Sequence, residues 1–154
     1  MSSTPNPDAP DLVRAVNRIS STYFMRSLRL MVEFHGGELL RALIHFAIFT
    51  ANIAHLDQGN GPVRYVGLNS PPPDEERRPI SILAISDGMG LPFETVRRHV
   101  NKLLAEGQCV RVKGGVIVPK AVVESDRAKK LGRVNLTYVQ KMTRDLRRIG
   151  FETN

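Results

Sequence analysis

Residues 90–119 read GLPFETVRRHVNKLLAEGQCVRVKGGVIVP, and the punctuation of this stretch decides the fold. Pro92 stands at or near the first position of a helix, where a missing backbone N–H costs nothing. Apolar residues then recur at Val96, Val100, Leu103 and Leu104, and Gly107 ends the run, which predicts a helix over 92–106. Cys109 to Val112 alternates as a strand. Gly114-Gly115 reads as a tight hairpin turn, Val116 to Val118 returns, and Pro119 closes the hairpin. Upstream, Ser81 caps a short predicted helix that reaches about Asp87, with Gly88 and Gly90 turning into the next helix. The order over 79–119 is short helix, glycine turn, longer helix, strand, hairpin, strand.

The longer helix has two faces. At about 100° per residue, Val96, Val100, Leu103 and Leu104 fall on the side that must meet a core. Glu94, Arg98, Asn101 and Lys102 fall opposite, with Thr95 and Arg97 on the flanks. A helix is slim enough to enter the major groove of DNA, where Arg can fork onto guanine and Asn can pair with adenine. Lys and Thr suit phosphates. Glu94 could accept from cytosine or orient an Arg. The short helix braces the long one, and the hairpin brings Arg111 and Lys113 toward a neighbouring backbone. The expected DNA-contacting set is therefore Pro92, Thr95, Arg97, Arg98, Asn101, Lys102, Arg111 and Lys113.

Composition agrees with a polyanionic partner. The chain has 154 residues, 42% of them hydrophobic, with a net charge of +7 and a pI near 10.1. Fourteen Lys/Arg against five Asp/Glu lie within residues 90–150, so the rest of the chain is slightly acidic. A basic balance favours nucleic acid or an anionic membrane surface and does not choose between them. Residues 1–10, rich in Ser, Pro and Asn, read as a disordered tail and not as a signal peptide. The lone Cys109 cannot form an intrachain disulfide. A cytoplasmic location is expected.

The flanks read as helices. Asp11 caps a first run through Leu12, Val13, Val16, Ile19, Tyr23, Leu28, Leu30 and Met31, which Gly36-Gly37 breaks. A second helix, about 38–56, is apolar round most of its circumference and needs cover on most sides, which a second subunit would supply. Its core, LLRALIHFAIFTANIAHL from Leu39 to Leu56, is long enough to span a membrane. Arg41, His45, Asn52 and His55 make a lone span costly, so a helix in a soluble bundle or dimer is expected, and no membrane partner. Residues 57–78 form a linker rich in Pro and Gly, with a short strand conceivable at Val63 to Val66. Asp74-Glu75-Glu76 reads as solvated loop, and Arg77 and Arg78 as possible backbone contacts beside the brace helix. Beyond the hairpin, Ala121 to Leu131 reads as a helix with an interruption at Gly132. Leu136, Val139, Met142, Leu146 and Ile149 then form an amphipathic stripe.

Gly90 to Gly107 resembles the recognition-helix region of bacterial winged helix-turn-helix regulators. Glu94, Thr95, Val96, Arg98, Leu103, Glu106 and Gly107 carry the likeness. The resemblance implies DNA contacts from Thr95, Arg97 and Arg98 and a wing tipped by Lys113-Gly114-Gly115. It covers about 40 residues. The order of elements is similar to MarR-like regulators, in which flanking helices interlock in a homodimer. Two features depart from that pattern: the wing is short and the 57–79 connection is long.

The expected fold is thus mainly α: a winged helix-turn-helix with a two-stranded wing (79–119), flanked by N-terminal helices (11–56) and C-terminal helices (120–150) that form a dimerisation bundle. The expected function is that of a sequence-specific transcription regulator binding double-stranded DNA as a homodimer, with a small-molecule effector among Tyr23, Phe46 and Phe49 as a further possibility. The alternative is a winged-helix protein-interaction module with no DNA target. His35, His45 and His55 lie ten residues apart, which is not the spacing of one helix face, so no metal site is expected; His45 and His55 read as partly buried polar groups. Cys109 reads as a small buried residue more readily than as a redox switch. No cofactor is expected, and no Walker loop, G-x-S-x-G or H-E-x-x-H motif points to an enzyme.

Overall fold

The structure, a computed structural model, describes residues 11–59 and 61–151; the expected tail at 1–10 lies outside the described residues. The architecture is mainly α with one two-stranded antiparallel hairpin. Six helices are described: α1 (Val13–Phe34), α2 (Leu39–Ile53), α3 (Ile82–Met89), α4 (Phe93–Ala105), α5 (Lys120–Val123) and α6 (Asp126–Arg148). The hairpin strands are β1 (Val110–Val112) and β2 (Gly115–Ile117). This arrangement is compatible with a winged-helix layout. The chain divides into two compact units, one of Met31–Arg133 and one of the residues up to Leu30 together with those from Val134 onward.

In the unit of the chain ends, α1 and α6 meet through polar contacts. Asn135 Oδ1 accepts from Ser27 Oγ at 2.9 Å and Tyr23 Oη at 3.3 Å. Asp11 caps α1 as expected, its Oδ1 accepting from Val13 N at 3.1 Å. Tyr23 lines a shallow groove between these helices, whereas Phe46 and Phe49 belong to the central unit, so the three aromatic residues are divided between the units. The interruption foreseen at Gly132 does not occur, and α6 runs through it unbroken. The break falls earlier, at Glu124-Ser125, because Ser125 Oγ caps the new helix by accepting from Ala128 N at 3.2 Å.

The central unit closes over one core. Ile44 and Ile48 from α2, Ile85 from α3, Val96, Val100 and Leu103 from α4, and Cys109, Val116 and Val118 around the hairpin are all buried. Burial of each large aliphatic side chain contributes roughly 1.5–3 kcal/mol relative to exposure. Ser81 caps α3, accepting from Ala84 N at 3.1 Å. Gly88 lies inside α3, not in the turn, because the left-handed residue that stops the helix is Gly90, at φ 64°. Ser86 then ties the turn down: its Oγ donates to the Leu91 carbonyl at 2.6 Å, and its own carbonyl accepts from Leu91 N at 3.1 Å.

The hairpin is shifted by one residue from its sequence reading. Val112 pairs with Gly115, so Lys113-Gly114 forms the turn and Gly115 begins β2. The reason lies across the sheet. Ile80 makes an antiparallel bridge to Val116, with Ile80 N to Val116 O at 3.2 Å and Val116 N to Ile80 O at 3.0 Å. The Ile80 backbone thereby passes directly over Gly115, where a Cβ would sit 2.2 Å from the Ile80 carbonyl oxygen. Only glycine allows that approach.

Helix α2 is fastened at its C-terminal end by Asn52, which is fully buried. Its amide nitrogen donates to Arg78 O at 2.7 Å and Val116 O at 3.2 Å, and its Oδ1 accepts from Val118 N at 2.9 Å. Its backbone carbonyl accepts from Arg78 N at 2.9 Å. The stretch Leu39–Asp57 is long and apolar enough to cross a membrane by length and composition, with mean hydropathy 1.5. Only 28% of that window is buried, and its buried face carries Asn52 and His45, both hydrogen-bonded to other parts of the unit.

The connection from residue 61 to 79 is pinned by contacts within itself and to α5, with no strand at Val63 to Val66. Glu76 accepts from Arg64 at 2.8 Å and from Tyr65 Oη, while Asp74 Oδ1 accepts from Lys120 N at 2.6 Å at the start of α5. Arg77 is only 4% exposed and donates to Pro72 O at 3.0 Å, so it is a packing residue and not a contact for a nucleic-acid backbone. Asn52→Ala is expected to lower unfolding stability by about 2–4 kcal/mol in urea titration, because the Val118 N–H and the Arg78 carbonyl lose their partner, the Val116 carbonyl keeps only Ile80 N, and a fully buried side chain is truncated. A change below about 0.5 kcal/mol would remove this clasp from the account. Gly115→Ala is expected to destabilise by more than about 2 kcal/mol and to release slow hydrogen exchange at Val116 N, since the added methyl expels the Ile80 backbone; protection equal to wild type would contradict the close approach.

Candidate nucleic-acid interface

Helix α4 is held by one face and free on the other. Val96, His99, Val100 and Leu103 are buried against the core, as the periodicity predicts for all but His99. His99 fills the same face at 8% exposure, a placement the apolar pattern did not reveal. Leu104 is partly buried at the core margin. The helix ends as Gly107 adopts φ 71°, with Gln108 N bonded to Leu103 O at 2.8 Å and Gly107 N to Leu104 O at 3.1 Å. This C-terminal lock delivers the chain into β1 at a fixed angle.

The outer face collects the residues expected to meet DNA. Glu94, Thr95, Arg97, Arg98, Asn101, Lys102 and Ala105 line one open surface along α4. Pro92 is the N-cap residue and is exposed at the same end. Arg97 is forked onto Glu94: its Nε lies 2.9 and 2.7 Å from the two carboxylate oxygens, and its Nη2 lies 2.7 Å from Oε1. The paired charges hold the Arg97 guanidinium above, and the Glu94 carboxyl below, their ordinary values, hydrogen bonding first and charge second for Arg97. Both side chains are exposed, so the pair contributes little to stability. Lys102 reaches Glu38 at 3.8 Å. Arg98 forms no hydrogen bond or ion pair among the described residues and points its charge outward.

The hairpin joins this surface through Arg111, whose Nη2 lies 3.4 Å from Asn101 Oδ1. Arg111 and Lys113 are both exposed. All eight residues singled out from sequence thus lie on α4, at its N-terminus or on the adjoining hairpin, and the Asn101–Arg111 contact connects the two elements. Val110 and Val112 are also exposed on β1, an edge strand kept short and interleaved with cationic side chains.

Two salt-bridge partners brace the far end of α4. Arg41 on α2 pairs with Glu106 and, at 3.4 Å, with Glu38. Next to them lies a contact that sequence spacing argued against. His35, just after α1, and His45 on α2 meet across the Gly36-Gly37 turn, His35 Nε2 to His45 Nδ1 at 3.0 Å. His45 Nε2 lies 3.1 Å from the Gln108 carbonyl oxygen. A carbonyl only accepts, so His45 Nε2 carries the proton, its Nδ1 accepts, and His35 Nε2 donates. The relay therefore links the α1–α2 corner to the junction of α4 and β1. Among the described residues no group of three potential ligands could hold a metal. Cys109 is buried, and desolvation pushes its thiol up to about 12, which leaves it unreactive near neutral pH.

Burial lowers His35 to about 4, reinforced by His45, Arg41 and Arg127. Burial also lowers His45, with Arg41 adding and the Gln108 hydrogen bond opposing. Above pH 6.5 both histidines are neutral folded or unfolded and stability is unaffected by them. As pH falls from 6.5 toward 4, the unfolded chain binds protons that the folded one refuses, so stability falls through that window. Urea titrations at pH 7.5 and 4.5 are expected to show a loss of roughly 2–3 kcal/mol from His35 in wild type and a clearly smaller total loss in His35→Gln, where only the lowered His45 remains of the pair. Equal acid sensitivity in both proteins would contradict the histidine origin.

Comparison of the chain with protein families, with curated proteins and with solved structures finds no match, so no family is assigned to it.

Proposed function

We propose that the chain is a double-stranded-DNA-binding transcription regulator built as a winged helix-turn-helix, with MarR-like element order, and that α4 enters the major groove. The observation that carries this reading is the two-faced construction of α4. One face is locked by Val96, His99, Val100 and Leu103, and the other presents Thr95, Arg97, Arg98, Asn101 and Lys102 to solvent beside Arg111 of the hairpin. The surrounding order also suits it: α2, the isolated bridge at Ile80, the brace helix α3, α4 and then the hairpin as wing. Side chains of this type at a helix surface recognise base edges and phosphates, and nothing else at the site suggests covalent chemistry.

The reading includes a homodimer. Leu39 and Phe46 on α2 are 48% and 45% exposed, with half-buried Leu43 at helical spacing between them. A second copy covering this face would present two α4 helices to successive major grooves of a pseudo-palindromic site. The cytoplasm is the compartment in which such a regulator works.

Fluorescence anisotropy with random-sequence duplex DNA at two salt concentrations tests the proposal. Affinity is expected to fall log-linearly with salt, with a slope of about 0.9 per phosphate neutralised. It should weaken at least tenfold, with a shallower salt slope, when Arg97 and Arg98 are both changed to Ala, because two positive charges leave the face. Absence of binding at low salt would contradict the DNA reading and leave the basic face as a docking surface for an acidic protein.

A further inference from the structure

We infer that base preference on the α4 face is set by Arg98 and directed at guanine, while Arg97, restrained by Glu94, serves the phosphate backbone; this rests on the DNA-binding reading above. Two independent observations divide the neighbouring arginines. The first is angular. The buried residues Val96, His99, Val100 and Leu103 fix the inward direction of α4, and Arg98 lies nearly opposite to it. Arg97 lies on the flank, about 100° from Arg98 at the helical step. In a groove, the side chain opposite the core points at the base edges and the flanking one at the groove wall, where the phosphates are.

The second observation is occupancy. The Arg97 guanidinium already spends its Nε and Nη2 donors on Glu94, at 2.7–2.9 Å. Arg98 makes no hydrogen bond or ion pair among the described residues, so its planar fork is available for the O6 and N7 acceptors of guanine without breaking a prior contact. Glu94 thereby has a role of its own. It offsets the Arg97 charge until a phosphate competes for it, which lowers attraction to DNA of any sequence. Glu94 is a positioning residue in this scheme.

The test is selection of bound sequences from a randomised duplex pool, run in parallel for wild type and four variants, with the salt dependence of each measured. Wild type is expected to enrich a motif with a guanine in each half-site. Arg98→Ala should lose that guanine, at least tenfold in discrimination, and Arg98→Lys should lose it too while keeping the salt slope, because an ammonium keeps the charge and not the fork. Arg97→Ala should keep the motif, bind all sequences more weakly and lower the salt slope by about 1. Glu94→Gln should keep the motif and bind random DNA more tightly with a steeper slope. Retention of the guanine in Arg98→Ala, or its loss in Arg97→Ala, would overturn the assignment while leaving the DNA reading intact. Failure of wild type to bind any duplex at low salt would overturn both. All four substitutions are on exposed side chains, and unchanged thermal unfolding confirms that each variant is folded.

Discussion

The buried amide of Asn52 is the contact on which the central unit depends. One side chain bonds the C-terminal end of α2 to the carbonyls of Arg78 and Val116 and to the N–H of Val118. These three groups belong to the end of the long connection, to β2 and to the segment after it. An apolar residue there would fill the space and leave the buried Val118 N–H unpaired, at about 1–3 kcal/mol, with the Arg78 carbonyl also losing its side-chain partner and the Val116 carbonyl keeping only Ile80 N. The amide supplies two N–H donors and an acceptor, which the single-donor hydroxyl of Ser or Thr does not. It brings the Pro-rich connection close enough for Ile80 to bridge Val116, and Gly115 is the residue that tolerates this proximity.

From that clasp the position of α4 follows. The bridged hairpin forms one wall of the core, α2 and α3 form the others, and the buried side of α4 closes it. The helix is then fixed at both ends, by the Ser86–Leu91 turn before it and by the Gly107 cap after it. Arg41–Glu106 and the His35–His45–Gln108 relay brace its exit. A rigid helix with a cationic outer face costs less to order on a ligand than a mobile one, which favours recognition over loose adsorption. The acidic residues near this face are few and each is engaged: Glu94 by Arg97, Glu38 by Arg41 and Lys102, and Glu106 by Arg41.

The parts of this design visible in the sequence are those written in local periodicity. Val96, Val100 and Leu103 at helical spacing revealed the inner face of α4, and the residues opposite named its outer face. Glycines marked the turns, although two adjacent glycines could not say which one turns; the answer, Gly114, depends on a backbone 35 residues upstream in sequence, at Ile80 and Pro79. Contacts between distant segments left fainter signals. Asn52 and His45 stood as polar residues in an apolar run, which is the mark of a buried polar tie, but their partners were not readable. Single-helix spacing separates His35 from His45, whereas a chain reversal at Gly36-Gly37 brings them together. Arg77 looked like a surface cation because its neighbours are charged, and only the folded connection shows it buried.

We propose that the outer face of α4 and the adjoining hairpin are the surface that meets DNA. Mapping amide chemical-shift changes on the full chain as a short duplex is added tests it most directly. Changes are expected to concentrate at residues 93–102 and 111–113, with residues around the Asn52 clasp unmoved. Shifts confined to other parts of the chain, with α4 silent, would contradict it.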